Sequence, residues 1–233
     1  MVFNKKLAET IAMEFQQSTG VEDGLAKSFA EICCFLNFSP DSLSWKGKVK
    51  PSLEEEHGIR ILAKRYFESF RKSDYPATSG TVPDEIVSAI MQFVYCYNTE
   101  EMRKIVVQHQ QIMCVENSVG ALLERYIFSV LRCYGWCWCC GNFVRSIDFI
   151  KYDNKKKNWL LVQIKNRDNS ENSSSSSVRK GTEIKKWFRT FSRTGKTNWE
   201  NLPDSMKDFG LNEADFISFV KFYLESEKKS LLK

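Results

Sequence analysis

The spacing of apolar positions divides the chain into a helical first half and a second half whose period changes. Leu7, Ile11 and Phe15 fall on one helical face, as do Leu25, Phe29, Cys33 and Leu36. A polar stretch over residues 39–51 interrupts the pattern. Ile61, Leu62, Tyr66 and Phe70 then predict a helix over residues 58–71. Ser73, Asp74, Tyr75, Pro76 and the small residues up to Gly80 break the chain again. Two more helices are predicted over residues 86–97 and 102–113. Residues 117–131 carry the strongest helical signal, with Val119, Leu122, Leu123, Tyr126, Ile127, Val130 and Leu131 at three-four spacing.

Beyond that helix the period shortens. Residues 136–140, 143–152 and 159–165 have strand character, and the polar run 153–158 predicts a turn joining the last two. A serine-rich loop follows, then a basic helix over 182–191 and a last amphipathic helix over 212–224. This order predicts an α+β fold, or a mixed α/β core, behind an N-terminal helical region. The expected division is a helical part over residues 1–114 and a core over 115–233, or one continuous domain spanning both. No internal repeat is visible.

Composition narrows the class. The chain has 233 residues, 42% hydrophobic and 27% charged, an ordinary globular balance with enough chain for a real core. Lys and Arg total 34 against 29 Asp and Glu, and the net charge of +5 permits a polyanionic partner without requiring one. No apolar run approaches the roughly 18–20 residues of a membrane span. Phe3, Asn4, Lys5, Lys6 and Leu7 lead into an acid-containing amphipathic stretch, unlike a signal peptide. A cytoplasmic protein with reduced thiols is therefore expected. His57 and His109 are the only histidines and have no recognisable partners, which disfavours histidine catalysis; surface or capping roles are expected. Cys133, Cys137, Cys139 and Cys140 crowd together, but without paired Cys-x2-Cys modules or a nearby histidine they read as buried structural thiols rather than a zinc site.

The candidate chemistry lies on the predicted strands. Asp148 points away from its apolar neighbours Ile147 and Phe149, because strand side chains alternate. In the third segment Leu160, Val162 and Ile164 take one face, while Gln163 and Lys165 share the other. Pairing through the polar turn brings Asp148, Gln163 and Lys165 toward one end of the sheet. Phosphodiester hydrolysis needs such a set: hard oxygen ligands for a divalent ion, and a lysine to orient or deprotonate water or to stabilise developing charge. Glu124, one turn after Gly120 on the strong helix, offers a second carboxylate to the same site. Taken singly, a strand aspartate is usually a surface or turn residue, and alternating polar residues are usually a solvated sheet face. The ordered set of Gly-x3-Glu helix, strand Asp and hairpin to Gln-x-Lys is much more specific.

A basic segment follows. From residue 179 to 196 there are seven bases, Arg179, Lys180, Lys185, Lys186, Arg189, Arg193 and Lys196, opposed only by Glu183. Trp187, Phe188 and Phe191 are interleaved and suit the apolar face of a surface helix. The unbalanced charge suggests contact with phosphates, with Arg179, Lys185, Lys186 and Arg189 as candidates. On composition alone the serine run 173–177 reads equally as a linker or as an ordered loop.

Gly120 with Glu124, Ile147-Asp148-Phe149 and Gln163-Ile164-Lys165 resemble the PD-(D/E)XK nuclease core, in its variant with glutamine at the second acidic position. The continuation from Lys165 through Asn169, Asn172 and the serine run, with Arg179, Gly181, Thr182, Lys186 and Trp187, is similar to type II restriction endonucleases of the SinI-like group. The resemblance covers residues 117–187. It implies a central mixed sheet flanked by helices, with Mg2+ at the strand ends held by Asp148, Gln163 and Glu124, and with Lys165 near the nucleophile. It also implies a homodimer acting on double-stranded DNA at a short G·C-rich site of the GGWCC type. A cognate DNA methyltransferase would act on the same site without needing to bind this chain. The serine run becomes a DNA-facing loop, in which Asn169, Asn172, Ser173 and Ser174 meet phosphates and base edges. Two departures stand out. Ile147 replaces the motif's proline, and Gln163 carries no charge, which makes Glu124 a more necessary ligand. A nuclease of the Mrr type specific for methylated DNA, and a non-catalytic DNA-binding module on a nuclease-like fold, are the competing readings; the joint presence of Asp148 and Lys165 argues against the latter.

Overall fold

The structure, a computed structural model, describes residues 2–20, 24–77, 84–168 and 183–231. Three helices, α1 (Lys5–Thr19), α2 (Leu25–Phe38) and α3 (Glu56–Arg71), bury the faces their spacing predicts. Phe29 packs on Tyr66 at 5.5 Å between ring centroids, and Phe15 stacks on Phe67 at 6.1 Å. Gly58 permits this arrangement, because a Cβ there would lie 2.0 Å from the Ser52 carbonyl oxygen.

Next come α4 (Glu85–Tyr95) and the long α5 (Thr99–Leu131). The Asn98 side chain accepts from the Glu101 N–H at 3.0 Å, and the Glu101 carboxylate accepts from the Asn98 N–H at 2.9 Å, a reciprocal cap that starts α5 firmly. Nothing between Glu101 and Leu131 breaks the ladder, so the two helices expected over 102–113 and 117–131 are one element of 33 residues. The expected division between residues 114 and 115 falls inside it. One buried cluster draws on both sides of that point, from Ala8 to Phe216.

The sheet has four strands in the order β1 (Cys137–Trp138), β2 (Phe149–Asp153), β3 (Asn158–Arg167) and β4 (Lys185–Thr190). The β2–β3 hairpin is antiparallel, with Phe149 opposite Val162. Its turn forms because Asp153 Oδ1 accepts from the N–H groups of Lys155 and Lys156. β4 lies parallel to β3, with Gln163 beside Lys186 and Ile164 beside Trp187. The basic helix expected over 182–191 is therefore a strand where it is described. Pairing along β3 and burial of Trp187 among Trp199, Ile164 and Asn198 override the local helical pattern.

After the one-turn α6 (Asp204–Lys207), α7 (Glu213–Leu231) docks on α5 and β4, with Phe216 and Phe219 against Tyr126. The result is a helical region followed by a mixed sheet flanked by helices. Among the described residues no helix is long and apolar enough to cross a membrane.

Candidate active site

Asp148 sits immediately before β2 rather than within it, yet it is tied into the sheet. Its N–H donates to the Val162 carbonyl at 2.9 Å, and its Oδ2 accepts from the Ile164 N–H at 2.7 Å. The aspartate thus bonds the backbone on both sides of Gln163. The side chain receives the Ile164 N–H, which fixes the carboxylate at the edge where pairing begins. Gln163 is buried, 4% exposed, and Lys165 follows two residues later with its ammonium close enough to lower the Asp148 and Glu124 carboxyls.

Glu124 reaches the same place from α5. Its Oε2 accepts from the Trp138 Nε1–H at 2.9 Å. Both acids keep some residue surface at solvent, while their carboxyl groups are desolvated. Burial pushes the Glu124 carboxyl well above the usual range, and the Asp148 charge pushes it further. The Trp138 N–H and Lys165 oppose that shift. Burial also raises Asp148, against the Ile164 N–H and Lys165. Asp148, Glu124 and Lys165 therefore share one electrostatic neighbourhood, with Gln163 on the strand between them.

Two supporting residues carry no signal of their own in the sequence. Trp138 is wedged between Phe70 and Phe128, each 5.8 Å away. Arg125, the neighbour of Glu124, stacks over the Trp138 ring at 5.2 Å and pairs with Asp74 at 2.8 Å, with both side chains only 14% exposed. Its other guanidinium nitrogens donate to the Phe70 and Lys72 carbonyls. Arg125 locks Trp138, and Trp138 holds Glu124. The sequence pattern offered aromatics in plenty but nothing that singles out this one.

The remaining expectations separate. Lys185 is exposed on β4, and Lys186 lies one strand over from Gln163, in register with it. Arg189 is committed inside the chain: it donates to Asn166 Oδ1 at 3.0 Å, pairs with Glu213 and stacks over Phe216. Asn169, Asn172, Ser173, Ser174 and Arg179 lie outside the described residues. Cys137, Cys139 and Cys140 are buried as expected, and burial pushes the Cys137 thiol up to about 12. Cys133 is exposed, because it lies in the turn that ends α5 rather than on a strand. Among the described residues no group of three or more His, Cys, Asp or Glu side chains is placed to hold a metal.

A family model described as SinI restriction endonuclease matches residues 8–226. The type II restriction enzyme SinI of Salmonella infantis is 42% identical over 229 residues, covering 97% of this chain and 98% of that protein. The type II restriction enzyme Eco47I of Escherichia coli is 42% identical over 221 residues, covering 94% of this chain and 95% of that protein.

Proposed function

This chain belongs to the SinI restriction endonuclease family, and on that premise we propose how its residues do the work. It is a type II restriction endonuclease: it cleaves double-stranded DNA site-specifically as the nuclease of a restriction–modification system, and it depends on a divalent cation. In our reading the cation is Mg2+, the target is a short G·C-rich site of the GGWCC type, and the active form is a homodimer.

The donor set suits that cation. Two carboxylates and an amide oxygen are hard ligands. The carboxyls of Asp148 and Glu124 also carry a burial cost that a bound dication relieves, and Glu124 bears the repulsion of Asp148 as well. Asp148, Glu124 and Gln163 would hold it. When bound, Mg2+ supplies Lewis-acid polarisation of the scissile phosphate and a more acidic water.

The rest is done by the chain itself. The Ile164 N–H fixes Asp148, and the Trp138 N–H fixes Glu124, so neither carboxylate must reorganise when substrate arrives. The Lys165 ammonium lies near both acids, where it orients the attacking water and stabilises charge developing on the phosphate. Lys185 and Lys186 offer positive charge to the DNA backbone beside this centre. Asn169, Asn172, Ser173, Ser174 and Arg179 complete the contact surface in our reading.

The observation that carries this reading is the meeting of Glu124 from α5 with Asp148 and Lys165. Its test is a digest of unmethylated phage DNA by purified protein with Mg2+. Discrete bands are expected. Cutting of modified DNA alone, or retardation without cutting, would overturn it.

A further inference from the structure

Helix α4 breaks the rule that governs every other long helix of the chain. Its sequence, EIVSAIMQFVY, holds one charged residue, Glu85, and none of its residues is buried. A helix that is apolar nearly all round belongs in a core. Here it lies against α5 through Ser88, Met91 and Gln92, which are half-buried. The opposite side presents Ile86, Ile90 and Phe93 at helical spacing, 66%, 56% and 90% exposed.

We propose that α4 and the first half of α5 form the arm on which a second copy of this chain docks. The inference rests on the homodimer reading above and says where that dimer is made. Three observations choose a second copy as the occupant. The first is area. Ile86, Val87, Ile90, Phe93, Val94 and Tyr95 are each more than half exposed, six large side chains toward the roughly 800 Å2 that one partner gives to a standard stable interface.

The second is self-complementarity. The same hairpin carries a protruding ridge and a groove of about 420 Å3, whose apolar lining includes Met91, Met102, Ile105, Val106 and Met113. A two-fold interface needs one surface to bear both halves of the contact, so that the ridge of each copy meets the groove of the other. Methionine-lined grooves adapt readily to an inserted ring such as Phe93.

The third is continuity. α5 is one unbroken helix from the arm to Glu124. At 1.5 Å per residue it is about 50 Å long, a stiff rod that fixes each centre relative to the docking face.

Sedimentation of the full chain tests this, comparing wild type with Phe93→Glu and with Ile86→Lys. The substituted side chains are exposed in the single chain, so circular dichroism should be unchanged. A wild-type dimer is expected, with self-association weakened on the order of a hundredfold in each variant. Wild-type protein that stays monomeric at high concentration sinks the homodimer reading and this inference together. A wild-type dimer whose variants associate equally well overturns the arm and leaves the dimer standing. Hydrogen exchange on wild type, above and below the dissociation concentration, gives an answer without substitution. Protection should fall on residues 85–97, and protection confined elsewhere overturns the proposal.

Discussion

Glu124 and Asp148 ionise against opposing influences. Burial raises both, the Asp148 charge raises Glu124 further, and Lys165 lowers both. A carboxyl raised in this way keeps its proton in the folded chain after the unfolded chain has lost it. Stability of the metal-free protein is therefore lost as pH rises out of the usual carboxylate range of about 4 toward the raised values. Thermal denaturation across that window should show a falling wild-type curve and a flatter one for Glu124→Gln. Mg2+ should lift the wild-type curve at its upper end and leave the variant nearly unmoved. Superimposable curves would mean that Glu124 carries no burial cost. Asp148→Asn keeps an oxygen for the Ile164 N–H and removes the charge, so the fold should survive. Cleavage should drop roughly a thousandfold or more, a loss of several kcal/mol in transition-state stabilisation. Single-turnover cleavage within about tenfold of wild type would remove Asp148 from the mechanism. Asp148 stood out in the sequence because a hairpin turn fixes which strand positions meet, and Glu124 because it follows Gly120 by one turn on the strongest helical segment. Trp138 did not, because its role comes from the packing of α3 and α5 around it.

Between residues 182 and 191 the local pattern favoured a helix. Along Lys185–Thr190 the two buried residues, Trp187 and Thr190, are three apart, a spacing that suits helix as well as strand. The partner that decides the matter is β3, more than twenty positions away in sequence. Parallel pairing leaves no turn signal between partners, unlike the Asp153 turn that made β2 and β3 legible. The change of element also changes what a base does. On a helix Arg189 would face phosphates with its neighbours; on β4 it reaches Glu213 at the start of α7. Arg189→Ala should therefore cost about 2 kcal/mol of stability, by leaving a partly buried carboxylate without its cation and held only by the Trp199 indole N–H. A double-mutant cycle with Glu213→Ala should show the two changes to be non-additive. Additive losses, with reduced affinity for DNA in Ca2+, would return Arg189 to the DNA surface. The merging of two expected helices into α5 has a similar origin. Cys114 to Ser118 lack a strong apolar repeat, and helical continuity there rests on the absence of any breaker.

In our reading each chain carries one catalytic cluster, of Asp148, Glu124, Gln163 and Lys165, and DNA offers two strands to be cut. The apolar runs of α4 were visible as a helix, but a period in sequence cannot say whether an apolar face meets its own core or another chain. That distinction belongs to the assembled molecule, where α5 links the proposed docking arm to Glu124. If two copies meet there, each centre serves one strand and the two act on a single site. A mixed dimer of wild type and Asp148→Asn, isolated through two different affinity tags, separates this arrangement from one in which a single centre cuts twice. On a supercoiled plasmid with one recognition site, the mixed dimer should convert substrate to open circles at a rate near half that of wild type. Linear product should appear only slowly, after dissociation and rebinding in the opposite orientation. Tag-free wild-type competitor monitors subunit exchange. Rapid linearisation by the mixed dimer, without exchange, would show that one Asp148 suffices for both strands. The second copy would then contribute binding surface instead of chemistry.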